Sequence, residues 1–354
     1  MIIILGLLIL TVFIKIRYRK IDEIDNFLDK DYTTSIIGVF AVIIFFSHFF
    51  GYTDHTPMNK LDEIAKLLTS SLGQLMVVPF MFFSGYGIFE QYQKKGESYA
   101  NKLPKNRIFK VYLMFFIAWI VYFALSFILK ANYSLERYIW SPIAITSIGN
   151  SNWYVVVILV LYLSTYLSLK IAGESKPFAL IINIILCLML IFIFRYFNMG
   201  DFWWDSIPSY AFGLIYSYIK PHVICFYKKH KLNRYILFVI SIGLTVLFGL
   251  LNNSVNNPFL YEGMVISFCL IFTCLLSLFR VGNKIVLTLG KYCFWIFILQ
   301  RIPMHILYQF NPITNNIYLF FFLSAILTAA LALGFDKLFT LIWSLISKPK
   351  LKKT

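Results

Sequence analysis

The chain has 354 residues, of which 60% are hydrophobic and only 14% charged, with a formal net charge of +16 and a mean hydropathy of +0.76. A soluble globular domain carries about 25% charged residues, so this balance excludes one and identifies an integral membrane protein. The five cysteines lie in or near apolar runs without CxxC spacing, and neither a disulfide framework nor a metal site is signalled.

Eleven apolar runs follow one another at 2–16, 34–51, 71–89, 108–129, 152–169, 177–194, 206–219, 235–251, 262–279, 285–308 and 317–345. Most approach the ~20 residues that a helix needs to cross the hydrocarbon core. The runs at 2–16 and 206–219 are shorter. Barrel strands would alternate apolar and polar residues over ~10 positions, which these runs do not. The predicted fold is therefore an all-α integral membrane bundle of about 10–11 transmembrane helices. Basic residues follow the first run instead of preceding it, the reverse of a secretory signal. Residues 1–33 are accordingly expected to be an extra amino-terminal helix with a cytoplasmic link, 34–345 the transmembrane domain, and 346–354 a basic cytoplasmic tail.

Lys and Arg alternate between gaps. One set holds Lys15, Arg17, Arg19, Lys20 and Lys30; Lys94 to Arg107; Lys170 and Lys176; Lys220 to Arg234; Arg280, Lys284 and Lys291; and Lys348 to Lys353. The opposite gaps contain only Lys60, Lys66, Lys130, Arg137 and Arg195. By the positive-inside rule the basic side is cytoplasmic, as is the carboxy terminus. The net charge then faces anionic membrane lipid, with no nucleic-acid partner implied.

Function is sought in polar residues that the bilayer makes costly. His48 stands in the second run, thirteen residues beyond Ser35, the expected amino-terminal cap, so it is placed in the outer half of the membrane. Its imidazole suits general base work; the structural alternative is an interfacial histidine bonded to a carbonyl. In the third run, Pro79, Gly85 and Gly87 are expected to loosen the helix and admit a backbone or a thin ligand, or to form a small-residue packing interface. Arg107 and Lys110, three apart, are expected on one face at the mouth of the fourth run, either holding phosphate or snorkelling.

These segments together resemble the membrane acyltransferase-3 family. The resemblance rests on Ser35 to His48, on Phe82-Phe83-Ser84-Gly85-Tyr86, on Arg107-Ile108-Phe109-Lys110-Val111-Tyr112, on Asn152-Trp153-Tyr154, and on Leu289 to Gln300. Two positions depart from the family pattern: Ile37 replaces its arginine and Gln300 its late histidine. The resemblance implies an O-acetyltransferase of the bacterial plasma membrane. Acetyl-CoA, a donor substrate, would enter from the cytoplasm, with no bound cofactor or metal, and the acceptor would be a hydroxyl of an extracytoplasmic or lipid-linked glycan. It implies His48 as the catalytic residue, Arg107 and Lys110 as donor-binding residues, and Ser84, Tyr86, Trp153, Gln300 and Arg301 as acceptor or oxyanion support. The alternatives are a polysaccharide export or transport protein and a catalytically inactive homologue.

Overall fold

A computed structural model describes residues 1–14, 16–255 and 257–347, without the side chains of 7–9 and 11–13. Lys15 and the tail lysines from Lys348 onward lie outside the described residues. Each of the eleven apolar runs is helical. In order they are α1 (Ile2–Phe13), α2 (Lys30–Phe50), α3 (Val78–Lys95), α4 (Lys110–Ile128), α5 (Trp153–Ala172), α6 (Lys176–Tyr196), α7 (Ile207–Lys229), α8 (Leu232–Val255) and α9 (Pro258–Leu278). The tenth run is divided into α10 (Lys284–Lys291), α11 (Cys293–Leu299) and α12 (Arg301–Leu307), and the eleventh is α13 (Ile317–Ser347). The only strand pair among the described residues is Arg17–Tyr18 with Phe279–Arg280. The chain is an all-α membrane bundle.

Seven of these helices are long and apolar enough to cross a membrane, or eight if the bent tenth run counts as one span. The shortfall from eleven falls on α1, which has 12 residues, and on α3 and α7. Helices α3 and α7 pack against each other; α3 is buried along most of its length and α7 along its first half, from Ile207 to Ser217. A helix covered by protein can carry polar side chains that a lipid-facing one cannot. Glu90 on α3 and Ser217 and Lys220 on α7 are of that kind, whereas Lys94 and Lys95 stand at the exposed end of α3. By contrast α8 exposes most of its apolar side chains and is a lipid-facing helix.

Helix α2 begins at Lys30 with Asp29 at its cap position. Ser35 is therefore not the cap; its hydroxyl donates to the Asp31 carbonyl inside the helix, at 2.7 Å. The longer helix places His48 about 27 Å along its axis from Lys30, near its carboxy-terminal end. Pro79 does not loosen α3, because it occupies the first turn, where no intrahelical N–H is needed. The tenth run bends by 61° between Lys284–Lys291 and Cys293–Leu307. Its second half is interrupted at Gln300, where Pro303 lacks the N–H that would bond the Leu299 carbonyl.

The gaps sort onto two faces. On the basic face Lys228 pairs with Asp25 at 2.8 Å and Lys170 with Glu97 at 2.7 Å. There the fully buried Arg234 donates to the carbonyls of Arg19 at 3.1 Å and Ser277 at 2.8 Å. On the opposite face Tyr52, Gly149 and His305 meet, and Asn59 reaches Tyr318. Every gap predicted to share a side and found in these contacts lies with its own set.

Candidate active site

Several of the predicted residues line a cavity of about 610 Å³ at the basic face, between α2, α3 and the start of the fourth run. Ile37, Ser84, Tyr86, Gly87 and Arg107 all line it. Four cations, Lys30, Lys94, Arg107 and Lys220, stand around it against the two carboxylates Asp29 and Glu90. Glu90 is engaged by Lys94 at 2.9 Å and by Lys220 at 3.4 Å. Arg107 lies beside Tyr99, Tyr162 and Tyr210. The cavity thus combines four cations with aromatic and small residues, a lining suited to a ligand with an anionic head and a thinner tail.

Arg107 and Lys110 do not share a face. Pro104–Phe109 forms a π-helix, whose wider turn shifts the register that a three-residue spacing assumes. Arg107 consequently faces the cavity, whereas the Lys110 ammonium lies over Phe339 at 5.7 Å and Trp343 at 5.6 Å on α13. Gly85 and Gly87 also divide. A Cβ on Gly85 would overlap the Tyr210 carbonyl oxygen of α7, so Gly85 is a packing residue. Gly87 has nothing within 4 Å of its Cβ position and lines the cavity.

Above this chamber lies a smaller apolar cavity of about 50 Å³, lined by Ile44, Val77, Phe80, Tyr154, Cys293, Phe294 and Phe297. The two stand in series by helix geometry. Ile37, Ile44 and His48 occupy one face of α2 at spacings of seven and four, and Phe80, Ser84 and Gly87 one face of α3 at spacings of four and three. Ser84 sits at the inner end of the large cavity, with Tyr154 beside it and the Tyr162 hydroxyl 3.4 Å away. Tyr154 meets the Phe297 ring at 5.4 Å, and Phe297 meets the His48 ring at 6.0 Å. Tyr154 and Phe297 thus form an aromatic partition between the chamber and the imidazole. The sequence signal for Tyr154 is its place in Asn152-Trp153-Tyr154, one residue past Trp153.

His48 itself meets Gln300, whose Nε2 lies 2.7 Å from its Nδ1. Arg301 stands beside His48 and within reach of the Tyr52 hydroxyl, and its Nε is buried without a partner among the described residues. The Nε2 of His305 is 3.0 Å from the Tyr52 hydroxyl and 3.2 Å from the Gly149 carbonyl. Three of the predicted residues, His48, Gln300 and Arg301, are therefore assembled by the helix break. Ser84, Tyr86 and Arg107 belong to the chamber below. Trp153 is grouped with neither: its ring packs against Tyr154 at 6.0 Å and Phe202 at 5.8 Å at the start of α5.

The sequence profile of the acyltransferase-3 family, described as an acyltransferase domain, matches residues 37–335. No curated protein and no solved structure gives a significant match. The profile spans Ile37, His48, Arg107, Tyr154 and Arg301, and the chain belongs to this family of membrane acyltransferases.

Proposed function

We propose that the protein is an O-acetyltransferase that takes acetyl from cytoplasmic acetyl-CoA and passes it to a sugar hydroxyl of an extracytoplasmic or lipid-linked glycan. The observation that carries this reading is the stacking of two cavities along one face of α2, from the cation-rich chamber at Ile37 toward His48. The basic face is the cytoplasmic one on the positive-inside rule. Phosphates of the donor cannot enter hydrocarbon and would be held among Arg107, Lys30, Lys94 and Lys220.

The pantetheine arm is thin and less polar. It would run past Gly87 and Ser84, displace the Tyr154 and Phe297 rings, and bring the thioester to His48. From Ile37 to His48 is eleven residues, about 17 Å along the helix. The acceptor would approach from the opposite face, where Tyr52, Arg301 and His305 are gathered. Arg107, across the chamber from Ile37, takes the place of the family's missing arginine.

The test is His48→Ala expressed in a host lacking the activity, with acetate released from surface glycan by mild base as the readout. Loss of acetate with normal amounts of protein and of glycan supports the reading. Unchanged acetate removes His48 from the reaction, and glycan retained inside the cell would favour export.

A further inference from the structure

His48 and Gln300 are 252 positions apart and meet at 2.7 Å. That distance alone does not say which group donates, because either ring nitrogen of a neutral histidine can donate or accept. A third partner decides. The same Gln300 Nε2 lies 3.1 Å from the Phe297 carbonyl oxygen, which can only accept. An amide oxygen in that place would oppose another oxygen, so the NH2 end of the amide occupies it, and its second hydrogen is directed at His48 Nδ1. Gln300 is 0% exposed, and its Oε1 is buried without a partner among the described residues. The amide has gained two bonds through nitrogen and left its oxygen unpaired, the reverse of what a base-activating partner would do.

We infer that Gln300 is a positioning residue that holds His48 in the tautomer with a bare, accepting Nδ1 and a proton on Nε2. The inference rests on the acyltransferase reading above and sharpens it. In this tautomer the neutral ring has no free lone pair with which to take a proton from the acceptor hydroxyl. It has an N–H to present. His48 would therefore act on the acyl donor through Nε2–H, hydrogen-bonded to the thioester carbonyl oxygen where negative charge gathers. The acceptor oxygen bonds to the acyl carbon, the carbon–sulfur bond breaks, and the hydroxyl proton passes to the departing sulfur. His48 keeps its own proton throughout, and nothing is oxidised or reduced. A carboxylate at position 300 would impose the opposite arrangement, with Nδ1 protonated.

The test is 15N NMR of the full chain in detergent with 15N-labelled histidine, where the resonance of each ring nitrogen reports whether it bears a proton. His48→Gln identifies the His48 signals. The expected wild-type spectrum has an unprotonated Nδ1 and a protonated Nε2, and Gln300→Glu should move the proton onto Nδ1. A protonated Nδ1 in the wild type overturns the inference even if the variant fails to fold; an unchanged tautomer in a folded Gln300→Glu overturns Gln300 as its cause. Release of free coenzyme A from acetyl-CoA is followed in parallel. Gln300→Glu should lower kcat at least tenfold with KM for acetyl-CoA changed less than twofold. The predicted tautomer without thiol release in any protein refutes the acetyl-CoA reading and leaves the pairing standing, whereas thiol release with Nδ1 protonated refutes the pairing alone.

Discussion

Gly85 of α3 and Gly213 of α7 lie at one helix crossing where the two backbones touch: a Cβ on Gly85 would overlap the Tyr210 carbonyl oxygen, and one on Gly213 would overlap that of Phe82. Neither obstacle is a flexible side chain that could turn aside. Gly85→Ala or Gly213→Ala should therefore destabilise the protein by about 1–3 kcal/mol or more, the usual cost of overpacking. Gly87→Ala, two residues along α3, meets open space and should leave the melting temperature within error while narrowing the chamber. Thermal unfolding of the three variants in detergent checks the contrast, and equal losses for Gly85 and Gly87 would contradict the packing described.

Arg107 is expected to dominate donor binding over Lys110, since only Arg107 faces the chamber. Losing one hydrogen-bonded charge costs about 1.5–3 kcal/mol, so Arg107→Ala should raise KM for acetyl-CoA roughly ten- to hundredfold. Ile37 lines the same chamber, and Ile37→Arg in the Arg107→Ala background should recover part of that loss. Lys110→Ala should change KM little. Steady-state kinetics on the four proteins decides, and a larger effect at Lys110 would return it to the donor site.

Asp205, in the connection before α7, is held at a pKa of about 7 by burial, with Asp201 and Glu262 adding repulsion and Arg195 offsetting part of it. The folded chain thus binds this proton more tightly than the unfolded chain. Its contribution to stability is present below the ordinary carboxyl range near pH 4 and is lost as pH rises through about 7. Asp205→Asn should flatten the corresponding fall in melting temperature between pH 5 and pH 8 and should raise the melting temperature at the upper end. Melting curves across that range test it; identical slopes in the two proteins would remove Asp205 as the cause.

Arg234 is 0% exposed, donates to two backbone carbonyls, and meets the Tyr18 hydroxyl at 2.7 Å. It ties the link before α2 to the end of α9. Arg234→Ala leaves those carbonyls buried and unpaired at about 1–3 kcal/mol each. Arg234→Lys should recover little, because an ammonium cannot span the same fork of acceptors. Folded yield and thermal unfolding provide the measure, and a fully stable Arg234→Lys would show that charge alone suffices there.

The sequence alone determined the helical class, the positions of eleven helical runs and the gathering of basic gaps on one face. Those features are local: in hydrocarbon each span must satisfy its own backbone and present apolar side chains, so its signature is written in consecutive residues. His48, Ser84, Arg107 and Gln300 were legible as candidates for the same reason, as polar groups at a cost in or beside apolar runs. Only the tertiary structure decided how they are used. It separated Arg107 from Lys110 through a π-helix, assigned Gly85 to packing and Gly87 to the chamber, placed Tyr154 between chamber and imidazole, and brought Gln300 to His48. These outcomes depend on which helix faces meet across long sequence separations, and close packing between helices is set jointly by both partners, which no single run of residues encodes.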